Sequence, residues 1–214
     1  MPKATFKFLP QSAKYATIAV KAVRRVHIRT LQEKDIAATE EICLKTAPAA
    51  AVKSEKDKLY TLYMYNRYYT RAQKDACFVA ADDKDRAVGY ILCAPDYQNY
   101  LADFKAHELL DIRKLGFWYF LRASAEMRVQ SRFQKDYPAH LHIDLLPEYQ
   151  RRHLGSQLMD ALKAHLKSEQ ISGVYLCVGA KNIGAVAFYK AQGFKILANI
   201  GGSFAMGFRI ETDK

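Results

Sequence analysis

Apolar and polar positions alternate with two distinct periods along this chain, and their order predicts an α/β protein. Residues 26–31 alternate in the manner of a strand, and residues 32–47 follow with apolar positions at helical spacing, stopped near Pro48. Residues 77–81 and 86–93 are short apolar runs either side of an acidic turn at 82–85, the pattern of a hairpin. Residues 96–137 are polar, aromatic and helical in pattern. A strand is predicted at 140–146. Leu154, Leu158, Met159, Leu162 and Leu166 then recur at three- and four-residue spacing, with Gln157, Asp160, Lys163 and Lys167 on the other face, which predicts a helix over 154–168. A strand at 174–178, a helix at 182–192 and two strands near 194–199 and 203–210 complete the pattern.

Half of the 214 residues are hydrophobic, enough for a sizeable core, and no apolar run approaches the roughly 20 residues that span a bilayer. The net charge of +11 invites a nucleic-acid reading, but residues 1–32 carry seven Lys or Arg and no acid, so most of the excess sits at one end. No interleaved aromatic pattern of a base-stacking surface accompanies it, so no specific nucleic-acid partner is expected. Residues 1–24 are expected to be a basic extension ahead of a domain at 25–214. Cys43, Cys77, Cys93 and Cys177 lie unpaired in apolar segments, which predicts buried free thiols and a cytoplasmic setting.

The most informative stretch is 140–155. A strand runs through Pro147 into a tight basic loop and then a helix, so the backbone amides of residues 151–156 and the positive end of the helix dipole converge on one spot. That is an anion site suited to a pyrophosphate, with the Arg151 and Arg152 side chains adding charge. Gln150, Arg151, Arg152, His153, Leu154 and Gly155 follow a Gln/Arg-x-x-Gly-x-Gly/Ala loop except that His153 replaces the first glycine. A second block has Asn182, Ala185, Phe188, Tyr189, Gly193 and Phe194 at the spacing Asn-x-x-Ala-x-x-Phe-Tyr-x-x-x-Gly-Phe. Together the blocks resemble the GNAT superfamily of acetyl-CoA-dependent N-acetyltransferases. The strand His-x-His-Ile-Asp-Leu-Leu-Pro resembles a bacterial subgroup related to the acetyltransferase-like domains of O-GlcNAc hydrolases.

The resemblance implies a three-layer fold with a mixed, splayed central sheet, here carrying a helical insertion at 96–137 between the third and fourth strands, beside the acceptor site. It implies acetyl-CoA as cofactor, held by Gln150, Arg151, Arg152, His153, Leu154, Gly155 and Ser156, with Asn182, Ala185, Phe188 and Tyr189 from the second block. An amide of Leu145 or Leu146 would polarise the thioester carbonyl. Asn182 would bond the pantetheine or cap its helix, and Tyr189 would protonate the departing thiolate. A small-molecule or peptide amine is the expected acceptor, reached by direct transfer, and a homodimer is compatible with this reading. The alternative is a catalytically inactive module that keeps the fold and binds CoA or a protein partner.

Strand parity sets His140, His142 and Asp144 on one face, a costly set to bury without a use. Asp144 or His142 is therefore the candidate base. No metal is expected, since the run lacks companion ligands. Within the insertion, Asp103, His107 and Glu108 are possible acceptor-site groups, whereas Phe117, Trp118 and Phe120 read as packing.

Overall fold

The computed structural model describes residues 25–211, so the basic extension at 1–24 lies outside the described residues. Seven strands form a single mixed sheet in the order β1-β2-β3-β4-β5-β7-β6: β1 (His27–Thr30), β2 (Phe78–Ala81), β3 (Ala87–Ala94), β4 (Ala139–Leu145), β5 (Gly173–Gly179), β6 (Lys195–Ile200) and β7 (Ser203–Arg209). Only β4 and β5 pair in parallel. Helices α1 (Ile36–Thr46), α2 (Glu55–Leu62) and α3 (Tyr68–Ala72) precede β2. Three more, α4 (Tyr97–Ala106), α5 (Glu108–Leu115) and α6 (Phe117–Gln130), fill the interval between β3 and β4. Then α7 (Leu154–Ser168) follows β4, and α8 (Ile183–Ala191) follows β5. None of the described helices is long and apolar enough to cross a membrane.

The sheet separates two cores. The α7 leucines pack with Leu141, Ile91, Val174 and Leu176 on one face. The other face carries an aromatic core of Tyr68, Tyr69, Tyr90, Tyr97, Tyr100 and Phe104. Side chains of successive strand residues point to opposite faces, so β4 sends Leu141 to the first core and His140 toward the second. Helix starts follow local chemistry. Ser54 and Asp57 form a reciprocal capping box on α2, and Asp96 accepts from the amides of Gln98 and Asn99. Between α2 and α3 the helix continues through a π turn at Tyr63–Arg67, a local widening that often accompanies a functional site.

Two expectations are corrected here. Phe117 and Trp118 are not packing residues: they are 65% and 79% exposed and meet each other edge-on. The buried stripe of α6 runs through Ala123, Met127 and Gln130, and helical spacing puts positions 117 and 118 off that stripe. Cys43, Cys77 and Cys93 are buried free thiols as expected, but Cys177 is exposed, because β5 diverges from β4 beside it. Arg29, one of the basic residues near the start, is tied into Asp35 at 2.6 Å and Asp85 at 2.8 Å rather than forming part of a free cationic surface.

Candidate active site

The loop after β4 is built as an anion cradle. The first backbone bond of α7 runs from the Gln157 N–H to the His153 carbonyl at 3.1 Å, so the amides of Leu154, Gly155 and Ser156 lie ahead of the helical ladder. Arg151 and His153 both adopt left-handed backbone, with φ of 58° and 59°. His153 thus takes the conformation a glycine would supply, which costs a non-glycine residue about 1 kcal/mol or more. Its side chain is exposed and does not close the loop. A Cβ at Gly155 would meet the Phe188 ring at 3.3 Å and Leu145 at 3.6 Å, so the glycine also lets α7 start against α8. Gln150 donates its amide to the Leu145 carbonyl at 2.9 Å, tying the loop to the end of β4.

A groove of about 660 Å³ lies over this loop, lined among others by Leu145, Gln150, Arg151, His153, Ser156, Asn182, Ala185, Phe188 and Tyr189. Arg152 is absent from that lining; its guanidinium stacks over Tyr149 at 5.3 Å. Asn182 caps α8 by accepting from the Ala185 amide at 3.1 Å.

β4 and β5 pair only at Ala139↔Val174 and His140↔Tyr175, then part, although the strands run on to Leu145 and Gly179. Toward β3, the Leu146 N–H is committed to the Val88 carbonyl at 3.0 Å. This bond rules out Leu146 as the carbonyl-polarising donor. Antiparallel alternation then turns the amides of Ile143 and Leu145 away from β3, into the gap that β5 leaves. Gly89, opposite Leu145, keeps this edge compact: a Cβ there would fall 2.1 Å from the Leu145 side chain.

Asp144 and Tyr189 line both the groove and a smaller cavity of about 300 Å³ behind it, so they flank a throat between the two. Burial lifts the Asp144 carboxyl to about 6, against the lowering effect of the Tyr90 O–H that donates to it at 2.7 Å. Burial, with the charge of Asp144 beside it, holds the Tyr189 phenol well above its usual range, so it keeps its proton at neutral pH. His142, the other candidate base, is pushed down to about 4 by burial. The Tyr69 hydroxyl sits between His140 Nε2 at 2.8 Å and His142 Nε2 at 2.9 Å. One phenol proton serves only one ring, so the other ring donates to the oxygen. Tyr69 therefore joins two neutral imidazoles, and at neutral pH His142, near 4, is a weaker proton acceptor than Asp144, near 6.

Beyond the throat a cavity of about 630 Å³ opens under α6, lined by Tyr65, Arg122, Glu126, His142, Tyr175 and Cys177 among others. Tyr65 comes from the π turn, and its hydroxyl bonds the Glu126 carboxylate at 2.9 Å. Asp103, His107 and Glu108 are not here. Their side chains lie close enough together to suggest a metal site, but Arg71 pairs with both Asp103 and Glu108 and already supplies the positive charge. Tyr65, Tyr90, Tyr175 and Cys177 went unrecognised in the sequence as site residues. Only the even-numbered positions of β4 hinted at a polar chamber, and tyrosines in apolar runs look like core.

Residues 41–194 match the Acetyltransferase (GNAT) family. With the splayed β4–β5 pair, the loop before α7 and the second signature on α8, this match is decisive: the chain belongs to the GNAT acetyltransferase family. Among solved structures it is similar to SsHAT, with 26% identity and a TM-score of 0.78 over 87% of this chain and 98% of that one. It also resembles an agmatine N-acetyltransferase (14% identity, TM-score 0.61, 86% and 99% covered). A third likeness is the PaiA N-acetyltransferase of Thermoplasma acidophilum in complex with coenzyme A (17%, 0.55, 86% and 99%). The latter two share the fold. Acetyl-CoA is the cosubstrate of this acetyltransferase, and the amides of Leu154, Gly155 and Ser156 ahead of the α7 ladder form the kind of site that suits a pyrophosphate.

Proposed function

We propose that this protein is an N-acetyltransferase that moves the acetyl group from acetyl-CoA directly to a primary amine within a ternary complex. The convergence of Asp144 and Tyr189 at the throat carries the reading. Asp144, with its carboxyl near 6, is mostly ionised at pH 7 yet basic enough to take a proton from the attacking amine. The Leu145 amide donates to the thioester carbonyl oxygen as negative charge builds there. Tyr189 delivers its proton to the leaving thiolate, and the proton on Asp144 returns to the tyrosinate through solvent, restoring both groups. Gln150, Arg151, His153, Leu154, Gly155, Ser156, Asn182, Ala185 and Phe188 hold the cofactor. Leu146 and Arg152 support the strand end and the loop.

A covalent acetyl-enzyme is disfavoured by Cys177, the one cysteine lining the far cavity. Although the residue is exposed at the gap, partial desolvation, with Glu126 nearby, raises its thiol to about 11, leaving little thiolate to attack at neutral pH. The helices α4–α6 cover the acceptor side. A catalytically inactive CoA-binding module is the rival reading. The deciding experiment is thiol release from acetyl-CoA over a panel of amines, run beside a melting curve with acetyl-CoA. Thiol release that depends on the amine supports transfer; a raised melting temperature with no release by any amine would establish the binding module.

A further inference from the structure

We propose that the chamber under α6 binds a second cationic group of the acceptor, so that the preferred substrates are diamines or longer polyamines. The proposal rests on the N-acetyltransferase reading above. Its first support is continuity. The chamber and the cavity behind the throat share Tyr65, Leu141, His142, Leu176 and Cys177, so an acceptor whose nucleophilic nitrogen meets Asp144 extends toward α6.

The second support is the chemistry of the walls. Among the described residues, Glu126 is the only carboxylate lining the chamber, and it accepts from Tyr65 at 2.9 and 3.2 Å. A carboxylate offers about four acceptor sites, and one phenol fills a fraction of them. Arg122, one turn earlier on α6, stacks on Tyr60 at 4.8 Å, and its charge only partly offsets the burial that raises the Glu126 carboxyl. Three more residues of the lining, Gln130, His140 and Tyr175, each hold a buried polar atom without a hydrogen-bond partner: Oε1, Nδ1 and the hydroxyl. An alkylammonium has three donors and no acceptor, the complement of an acceptor-rich pocket with a partly desolvated carboxylate. Tyr65 and Tyr175 give such a cation aromatic neighbours as well.

The spacing follows from β4. Asp144 and His142 are two residues apart, roughly 7 Å along a strand, and Tyr65 meets the His142 ring edge-on at 5.3 Å between centroids. Because Tyr65 carries the bond to Glu126, the second acceptor nitrogen lies beyond His142 from Asp144, more than one strand residue away from the first.

The test compares wild-type kcat/KM, by thiol release, for α,ω-diaminoalkanes of increasing length, n-alkylamines of equal length and ω-amino acids of equal length. We expect a length optimum and a diamine preference over the monoamine of roughly ten- to hundredfold, the size of a charged hydrogen bond. Glu126→Gln keeps the shape and the acceptor for Tyr65. It should raise KM for the diamine by a similar factor, while the acetyl-CoA affinity measured by calorimetry stays the same. Equal kcat/KM for monoamine and diamine in the wild type overturns the proposal, as does a preference for the amino acid. A folded E126Q protein that retains the full diamine preference overturns it too. If E126Q fails to fold, the wild-type ratio decides alone. Absence of thiol release with every amine is a different result, which sinks the acetyltransferase reading itself.

Discussion

Replacing Tyr90 by Phe tests the assigned base without touching it. The Tyr90 hydroxyl donates to Asp144 at 2.7 Å from a fully buried ring, and that bond opposes the burial that lifts the carboxyl to about 6. A hydrogen bond to a charged acceptor contributes about 1.5–3 kcal/mol, and about 1.4 kcal/mol corresponds to one pKa unit. Without the phenol, Asp144 should therefore titrate roughly one to two units higher, near 7–8. The ionised fraction at pH 7, and with it kcat/KM, should fall roughly two- to tenfold, and the deficit should vanish by about pH 9. The assay is thiol release between about pH 5 and 9 with one acceptor for both proteins, so that titration of the amine cancels in the ratio. A simple packing defect would lower the rate by the same factor at every pH. A folded Tyr90→Phe protein whose acid limb coincides with that of the wild type would refute Asp144 as the base.

Other expectations follow from the same geometry. Tyr189→Phe should lower kcat by roughly 10²–10⁴ with little change in acetyl-CoA affinity, and rising pH should not restore it, because alkali cannot replace a lost acid. His153→Gly should leave acetyl-CoA affinity within roughly threefold and hold or raise the melting temperature, since relief of left-handed strain offsets the added chain entropy; a large loss of affinity in calorimetry would mean that the imidazole itself binds the cofactor. Gly155→Val should weaken acetyl-CoA binding by pushing α7 off Phe188, which lies 3.3 Å from the new Cβ; a normal thermal shift with acetyl-CoA would show that the groove tolerates the displacement.

The loop before α7 and the cap of α8 were legible because their signals are local. The loop of Gln150 to Ser156 and the cap at Asn182 lie within single strand–helix junctions, where backbone geometry follows from residue type. The acceptor half was not. Glu126, Tyr65 and Tyr175 come from α6, a π turn and β5, and only the folded sheet brings them together. Tyrosines with hydroxyls in a chamber and tyrosines in a core have the same sequence pattern, as Tyr65 and Tyr100 show. Asp103, His107 and Glu108 misled for the converse reason: they are close together in sequence, but their partner Arg71 is on another helix.

β4 itself explains how one strand can serve both substrates. Its odd residues turn their side chains to the α7 core, and the amides of Ile143 and Leu145 face the gap, so Leu145 both anchors the loop and leaves its amide free of β3. Its even residues carry His140, His142 and Asp144 to the aromatic face, where α1, the π turn and α6 supply the walls. The early parting from β5 is what lets these two sets meet, because a fully paired strand would have spent the Ile143 and Leu145 amides on its neighbour. Cys177 is exposed for the same reason. The divergence of β4 and β5 is therefore the feature on which the groove over the α7 loop, the throat and the chamber under α6 all depend.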